Sequence, residues 1–121
     1  MQNQNNKPKY TIFKNASYAL QGLKTAFLNE TSFKIELFLA IPIFLAIIMI
    51  DTTGTNKLIL TSTAFLIAIT ELLNSAVENV VDLVTKEFHP LAKNAKDIGA
   101  TAVLFSVVLH LICWITILLG E

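Results

Sequence analysis

The sequence predicts an all-α integral membrane protein in which one amphipathic interfacial helix precedes three transmembrane helices. Hydrophobic residues make up 54% of the 121 residues and charged residues only 15%, against about 25% charged residues in soluble domains. The charges also avoid three stretches, residues 37–50, 58–70 and 98–120. The length permits one domain, spanning residues 1–121.

The amino-terminal part predicts a tail and a surface helix. Residues 1–9 are polar and predict a flexible tail, and no apolar segment follows that would resemble a secretion signal. Residues 12–30 predict an amphipathic helix in the membrane interface, and packing of this helix against its own bundle is a compatible alternative. Its apolar positions at helical spacing are Ile12, Ala16, Leu20, Leu23 and Phe27.

The transmembrane helices are predicted at about residues 33–50, 58–81 and 98–119. The third stretch is long enough to cross about 30 Å of hydrocarbon without help. The first contains Pro42, where we expect a bend rather than a break. The second reaches full length only if it continues past Glu71, which places carboxylates in the membrane or at its edge.

The lysines predict the orientation, because cytoplasmic segments are rich in positive charge. Five lysines precede the first span, one lies in the first link, three lie in the 82–97 link and none follows the third span. The amino end and the 82–97 link are therefore expected in the cytoplasm, and the first link and the carboxyl end outside. Residues 51–54, Asp-Thr-Thr-Gly, predict a tight turn.

The second span ends in a row of polar residues, which we name the polar stripe. Its members are Glu71, Asn74, Ser75, Glu78 and Asp82. On a helix the other members lie within about 60° of Glu71. Helix packing accounts for the amide and the hydroxyl. It accounts poorly for three carboxylates, because ionised acids at membrane depth are costly, and the stripe therefore indicates function.

The chemistry of these side chains favours a magnesium site. Oxygen ligands suit a hard cation, and the single cysteine, Cys113, excludes a cysteine-based zinc site. Magnesium usually accompanies phosphate, which suggests a nucleotide. A carboxylate deeper than the metal is placed to take a proton from a lipid hydroxyl.

The 82–97 link adds positive charge next to the stripe. Lys93 and Lys96 could contact phosphate, or serve only as cytoplasmic anchors. His89 before Pro90 is read from spacing as a helix-end residue in preference to a nucleotide contact. Glu36, at the start of the first span, is read as an interface charge.

Three further side chains in the third span predict packing rather than chemistry. His110 has no second histidine nearby and is read as a helix-packing or headgroup residue. Cys113 is expected to be a small buried hydrophobe, and Trp114 to lie in the outer interface belt.

Composition excludes several classes of function. The net charge is zero and arginine is absent, so nothing favours a nucleic-acid partner. The four glycines are far apart, which excludes a dinucleotide-binding turn and a Walker A loop.

The run ELLNSAVENVVD at residues 71–82, followed by EFHPLAK at 87–93 and AKD at 95–97, resembles the signature of the prokaryotic diacylglycerol kinase family. The upstream GLK at 22–24, NE at 29–30 and FK at 33–34 match as well. The resemblance extends from about residue 10 to residue 118.

This resemblance implies a homotrimeric lipid kinase of the bacterial inner membrane that uses ATP and Mg²⁺. It implies that Glu71 is the general base, supported by Asn74, and that Glu30 and Glu78 hold the metal. The implied nucleotide contacts are Tyr18, Glu30, Glu78, Glu87, Phe88, His89, Lys96 and Asp97. The implied lipid contacts are Glu71, Lys24, Phe33, Lys34 and Ala100.

The resemblance leaves the lipid open. It implies phosphorylation of 1,2-diacylglycerol to phosphatidic acid, but the HPLAK segment resembles a branch whose lipid is undecaprenol. Thr11 stands where enterobacterial members have arginine, which Lys9 or Lys14 would replace, and Ile35 stands where they have glutamine. From the residues alone, a small proton-coupled transporter and a non-enzymatic assembly subunit are alternatives.

Overall fold

The structure, a computed structural model, describes residues 11–120 and contains four helices in that part of the chain. They are α1 (Ile12–Asn29), α2 (Thr31–Met49), α3 (Gly54–Val84) and α4 (Pro90–Leu119). By length and composition, α2, α3 and α4 could each cross a membrane, as predicted. The predicted tail at residues 1–9 and the terminal Glu121 lie outside the described residues.

Side-chain caps determine where three of the helices begin. The Oγ1 atoms of Thr11 and Thr53 accept hydrogen bonds from the backbone N–H groups of Lys14 and Asn56, both at 3.2 Å. Such caps satisfy N–H groups that have no partner inside the helix. The predicted turn at 51–54 is wrong in one respect, because Gly54 is already the first residue of α3.

Two features of the first span depend on single residues. Glu30 is the only residue between α1 and α2, and its extended backbone, with φ −110° and ψ 107°, separates them. Its N–H still donates to the Ala26 carbonyl oxygen at 2.9 Å, which ends α1. Pro42 lies inside α2, and the helix continues through it without a break.

Helices α3 and α4 form an antiparallel pair joined by a row of polar contacts. Thr63 Oγ1 lies 2.7 Å from His110 Nδ1, and Thr70 Oγ lies 2.9 Å from the Ser106 hydroxyl. Trp114 Nε1 donates to His110 Nε2 at 3.0 Å, so Nδ1 carries the ring hydrogen and donates to Thr63. His110 is thus a helix-packing residue, as predicted.

The apolar core of the described residues is small and lies toward the end of the bundle opposite the polar stripe. It consists of Ile47, Leu60 and Ile117, with the half-buried Cys113 and Trp114 packed against them. Cys113 therefore packs as a hydrophobe, although it is less buried than predicted.

Most other large apolar side chains are exposed in a single chain. Phe13 is 90% exposed on α1 and Phe38 is 70% exposed on α2. In α1 the only buried residue is Ala26, so the apolar positions of this helix do not pack into their own bundle. An apolar surface of this extent requires lipid or other subunits to cover it.

Candidate functional site

The polar stripe faces three different helices rather than one common cleft. Helix α3 brings Glu71 against α2, Asn74 and Asp82 against α4, and Ser75 against α1. The prediction that these residues share one side of α3 is consistent with these contacts. Which neighbour each side chain meets follows from the packing, because a helix face about 100° wide borders more than one partner.

Glu71 meets a second carboxyl group, that of Glu36 on α2. The two carboxyl groups lie close enough to share a hydrogen bond, and both residues are half-buried. A hydrogen bond between two carboxyl groups requires a proton on one of them. The Oε2 atom of Glu36 is buried and has no hydrogen-bond partner among the described residues. The reading of Glu36 as a solvated interface charge is therefore wrong.

Glu36 also connects Glu71 to an apolar groove. The groove has a volume of about 330 Å³ and lies between α2, α3 and α4. Glu36 is the one acidic residue in its lining, which is otherwise dominated by aliphatic and aromatic side chains such as Phe33, Phe44 and Phe65. Phenylalanine and aliphatic walls suit a hydrocarbon chain, and a carboxyl group at such a wall suits its polar end.

Asn74 lies one turn along the stripe and links it to α4. Its Nδ2 donates to Glu78 Oε1 at 3.5 Å. Its Oδ1 is buried without a hydrogen-bond partner in the described part of the chain and lies against Gly99. Glu78 is half-buried, so part of its side chain remains accessible at the surface of the bundle.

A second groove, the α1 groove, separates α1 from α3. Ser75 and Asn79 line it from α3, and Glu30 lines it together with Gly22 and Ala26. Glu30, a predicted metal ligand, therefore faces the stripe helix. Asn79 was not predicted, because it lies beside the polar stripe and not on it, and a single asparagine there forms no helical repeat.

Two predicted residues of α1 are exposed within a single chain. Tyr18 is 54% exposed, and Lys24 is exposed as well. Neither lines the α1 groove. The structure therefore does not bring them together with Glu30 inside one protomer.

A third groove, the loop groove, lies where α3 ends and α4 begins. It has a volume of about 350 Å³ and is lined from the α3–α4 link and from the first turns of α4. It contains five of the predicted nucleotide contacts, Glu87, Phe88, His89, Lys96 and Asp97. The structure thus gathers five of the eight residues that the family resemblance implies as nucleotide contacts, and Tyr18, Glu30 and Glu78 lie outside this groove.

Charge pairs and a helix cap order the loop groove. Lys96 Nζ lies 2.7 Å from Asp82 Oδ1, and Lys93 Nζ contacts Asp97 Oδ2 within one helical turn. His89 Nδ1 accepts the Leu91 N–H at 3.1 Å, which confirms the helix-end interpretation. The cap uses Nδ1 alone, so Nε2 of the exposed ring is left for another contact.

The predicted lipid contacts are spread over several surfaces. Phe33 is only 2% exposed and lines the apolar groove. Lys34 Nζ lies 5.7 Å from the ring centre of Phe27, a cation–π contact between α1 and α2. Ala100 is exposed on α4.

The donor chemistry around the stripe fits magnesium in kind. Glu30 and Glu78 offer carboxylate oxygens, and Asn79 offers an amide oxygen, which are the ligand types that Mg²⁺ prefers. Residues 11–120 of one chain contain no group of three histidine, cysteine or acidic side chains placed to hold a metal ion. Magnesium commonly takes only one or two carboxylates and completes its shell with water and phosphate oxygens. Within one chain, Glu30 lines the α1 groove and Glu78 does not.

Glu36 and Glu71 thus place two carboxyl groups beside the apolar groove, and the helix that carries Glu71 ends at the charged loop groove. The family model for prokaryotic diacylglycerol kinase matches residues 17–118.

Curated bacterial proteins match over most of their length. Diacylglycerol kinase of Escherichia coli (strain K12) is 36% identical over 118 residues, which cover 94% of this chain and 94% of that protein. Diacylglycerol kinase of Haemophilus influenzae is 39% identical over 103 residues, with coverage of 85% and 87%. Diacylglycerol kinase of Helicobacter pylori (strain ATCC 700392 / 26695) is 35% identical over 105 residues, with coverage of 85% and 80%.

Proposed function

The chain belongs to the prokaryotic diacylglycerol kinase family, and on that premise we propose that it phosphorylates 1,2-diacylglycerol with ATP to form phosphatidic acid. The observation that carries the proposal is the position of Glu71. Its carboxyl group lies beside that of Glu36, which lines the apolar groove, and it lies on the helix whose end forms the loop groove.

In this proposal Glu71 is the general base. Its carboxylate takes the proton of the lipid hydroxyl while the hydroxyl oxygen attacks the γ-phosphorus of ATP. The bond from that phosphorus to the β,γ-bridging oxygen breaks, and ADP leaves with that oxygen. Glu36 orients Glu71 through the contact between their carboxyl groups.

The nucleotide is proposed to lie in the loop groove. Lys96 and Lys93 supply positive charge for phosphate oxygens, and Phe88 and His89 supply flat rings at the exposed edge. No glycine-rich loop is needed, because phosphoryl transfer depends mainly on positioning and on neutralisation of charge.

The metal is proposed to be Mg²⁺, held by Glu30 and Glu78. When bound, it supplies positive charge that neutralises the phosphate oxygens. Asn74 holds Glu78 through its Nδ2 and so keeps one carboxylate of this pair oriented.

The setting is proposed to be the bacterial inner membrane, with the amino end and the 82–97 link in the cytoplasm. The lysine distribution supports this orientation, since eight of the nine lysines lie in those two segments. A homotrimer would cover part of the exposed apolar surface, and it would allow one subunit to supply residues such as Tyr18 to a site on its neighbour.

The test is a lipid competition with purified full-length protein in mixed micelles. Radiolabelled ATP is supplied with diacylglycerol, undecaprenol and ceramide together, and the labelled products are separated. We expect labelled phosphatidic acid to dominate. Label mainly in undecaprenyl phosphate would reassign the lipid within the family. Absence of label in every lipid would contradict the proposed kinase.

A further inference from the structure

We propose that Gly99 is a positioning residue for this site: the space left by its missing side chain holds the Asn74 amide, which aims the amide N–H at Glu78. The contact between residues 74 and 99 is a property of the helix pair. Its effect on turnover rests on the proposed function.

The space at Gly99 is already filled by Asn74. A Cβ atom at residue 99 would lie 2.2 Å from Asn74 Oδ1 and 3.3 Å from its Cγ. The first distance is far inside van der Waals contact, so any side chain at residue 99 forces Asn74 to move.

The orientation of the amide is defined by its two neighbours. On one side Nδ2 lies 3.5 Å from the Glu78 carboxylate, where a donor is required. On the other side Oδ1 is buried against Gly99, where the glycine Cα hydrogens offer a weak contact. The reverse orientation would place the amide oxygen against a carboxylate, and the two would repel.

Helix α4 has little freedom to move away from a new side chain. Thr70 and Ser106 hold the two helices together at 2.9 Å on one side of Gly99. Asp82 and Lys96 hold them at 2.7 Å on the other. A Cβ atom at residue 99 is therefore accommodated by rotation of Asn74, which carries Nδ2 away from Glu78.

Gly99 differs in this respect from a helical glycine with free surroundings. A Cβ atom at Gly54 would have no neighbour within 4 Å. Gly54 is the first residue of α3, and a methyl group added there meets no neighbour, so the exchange to alanine should be tolerated. Gly54→Ala is therefore the matched control, at the opposite end of α3 from the polar stripe.

The first measurement is divalent-cation binding by the purified full-length protein, followed with Mn²⁺ by electron paramagnetic resonance in the presence of a non-hydrolysable ATP analogue. We expect Gly99→Ala to weaken Mn²⁺ binding by about 10- to 100-fold, as is typical when a residue that orients a metal ligand is displaced. The magnesium concentration that half-saturates lipid phosphorylation should rise in parallel. Gly54→Ala should change neither value.

The second measurement is a double-mutant cycle with Asn74→Ala, which removes both Oδ1 and Cγ. Gly99→Ala should lower the unfolding midpoint in the wild-type background and have no cost in the Asn74→Ala background. If Gly99→Ala alone fails to fold, the double variant should regain the fold. Equal costs in both backgrounds, or unchanged Mn²⁺ binding by folded Gly99→Ala, would overturn the inference.

The two proposals fail in different ways. If the wild-type protein labels no lipid, the proposed kinase is wrong, and the unfolding cycle still decides whether Asn74 and Gly99 are coupled. If the wild-type protein is active and the cycle shows no coupling, the positioning role is wrong and the kinase stands.

Discussion

The Lys96 ammonium group lies 2.7 Å from the Asp82 carboxylate and joins the first turns of α4 to the last turns of α3. Both side chains are close to half exposed, at 42% and 46%, and the pair lies at the loop groove. A phosphate group there would compete with Asp82 for Lys96. In the proposed kinase, the pair would hold the lysine in place before the nucleotide binds.

Lys96→Gln should weaken ATP binding far more than folding. Loss of a charged hydrogen bond to phosphate should raise the KM for ATP by about tenfold or more. The free energy of unfolding should fall by at most about 1 kcal/mol, because exposed ion pairs contribute little.

Steady-state kinetics with varied ATP and thermal unfolding in detergent measure the two effects of Lys96→Gln. Lys57→Gln is the control, since Lys57 Nζ donates to the Ile48 carbonyl oxygen near the start of α3 and lies outside the loop groove. An unchanged KM for ATP in Lys96→Gln would remove this lysine from the nucleotide site.

Glu71→Gln should keep ATP and magnesium binding but lose lipid phosphorylation. Removing a general base typically lowers the rate by about 10²- to 10⁴-fold. Nucleotide binding by calorimetry and labelled-lipid formation are the two measurements, with Asp51→Asn in the first link as the charge control. Wild-type turnover by Glu71→Gln would show that another group accepts the proton.

Substitution of Glu36 should act through Glu71 and leave the nucleotide site intact. Glu36→Leu removes the hydrogen-bond partner of Glu71, so lipid phosphorylation should fall about tenfold, the equivalent of one hydrogen bond, with the KM for ATP unchanged. Glu36→Gln keeps a donor and should retain more activity than Glu36→Leu. If both variants match the wild type, the carboxyl pair has no role in turnover.

Glu78→Gln should alter the magnesium dependence before it alters anything else. A neutral amide is a weaker ligand for Mg²⁺ than a carboxylate, so the half-saturating magnesium concentration should rise by about tenfold or more. A magnesium titration of lipid phosphorylation measures this concentration. Magnesium binding by Glu71→Gln, which keeps both proposed metal ligands, is the comparison. Superimposable titrations of Glu78→Gln and wild type would count against a ligand role.

His110→Leu should lower stability while leaving the chemistry unchanged. The change leaves the Trp114 N–H and one contact of Thr63 without a partner inside the α3–α4 pair. Hydrogen bonds between membrane helices contribute about 0.6 to 2 kcal/mol, and the free energy of unfolding should fall by that amount.

Thermal unfolding and activity at low temperature separate the two parts of the His110 prediction. Ser62→Ala is the control, because among residues 11–120 the Ser62 hydroxyl bonds only to the Leu58 carbonyl oxygen within its own helix. A loss of activity at temperatures where His110→Leu is folded would give His110 a role beyond packing.

Hydropathy located the spanning segments but not the ends of their helices. The second span, predicted at residues 58–81, is part of a helix from Gly54 to Val84, and the third begins at Pro90 instead of residue 98. Hydropathy reports where lipid would be, whereas helix ends depend on capping groups such as Thr53 and His89. The residue types alone could have indicated the capping residues. They could not have indicated how many polar turns each helix adds beyond its apolar span.

Helical periodicity identified the polar stripe, whereas Glu30, Tyr18 and the nucleotide contacts of the link came from the family resemblance. It placed Glu71, Asn74 and Glu78 on one side of a helix, because spacing along a single helix is a local property. It misread Glu36, since an acidic residue at the edge of a span has the same pattern whether it faces water or another carboxyl group.

The order of the residues alone predicts three membrane spans with a carboxylate row on the second, because charge is excluded from lipid and helix geometry is periodic. The packing of the helices adds the pairings: Glu36 with Glu71, Asn74 with Gly99, and Lys96 with Asp82. These pairings join residues 14 to 35 positions apart, and they depend on the register of one helix against another. That register is set by the summed contacts of the whole interface and is not encoded in any single repeat.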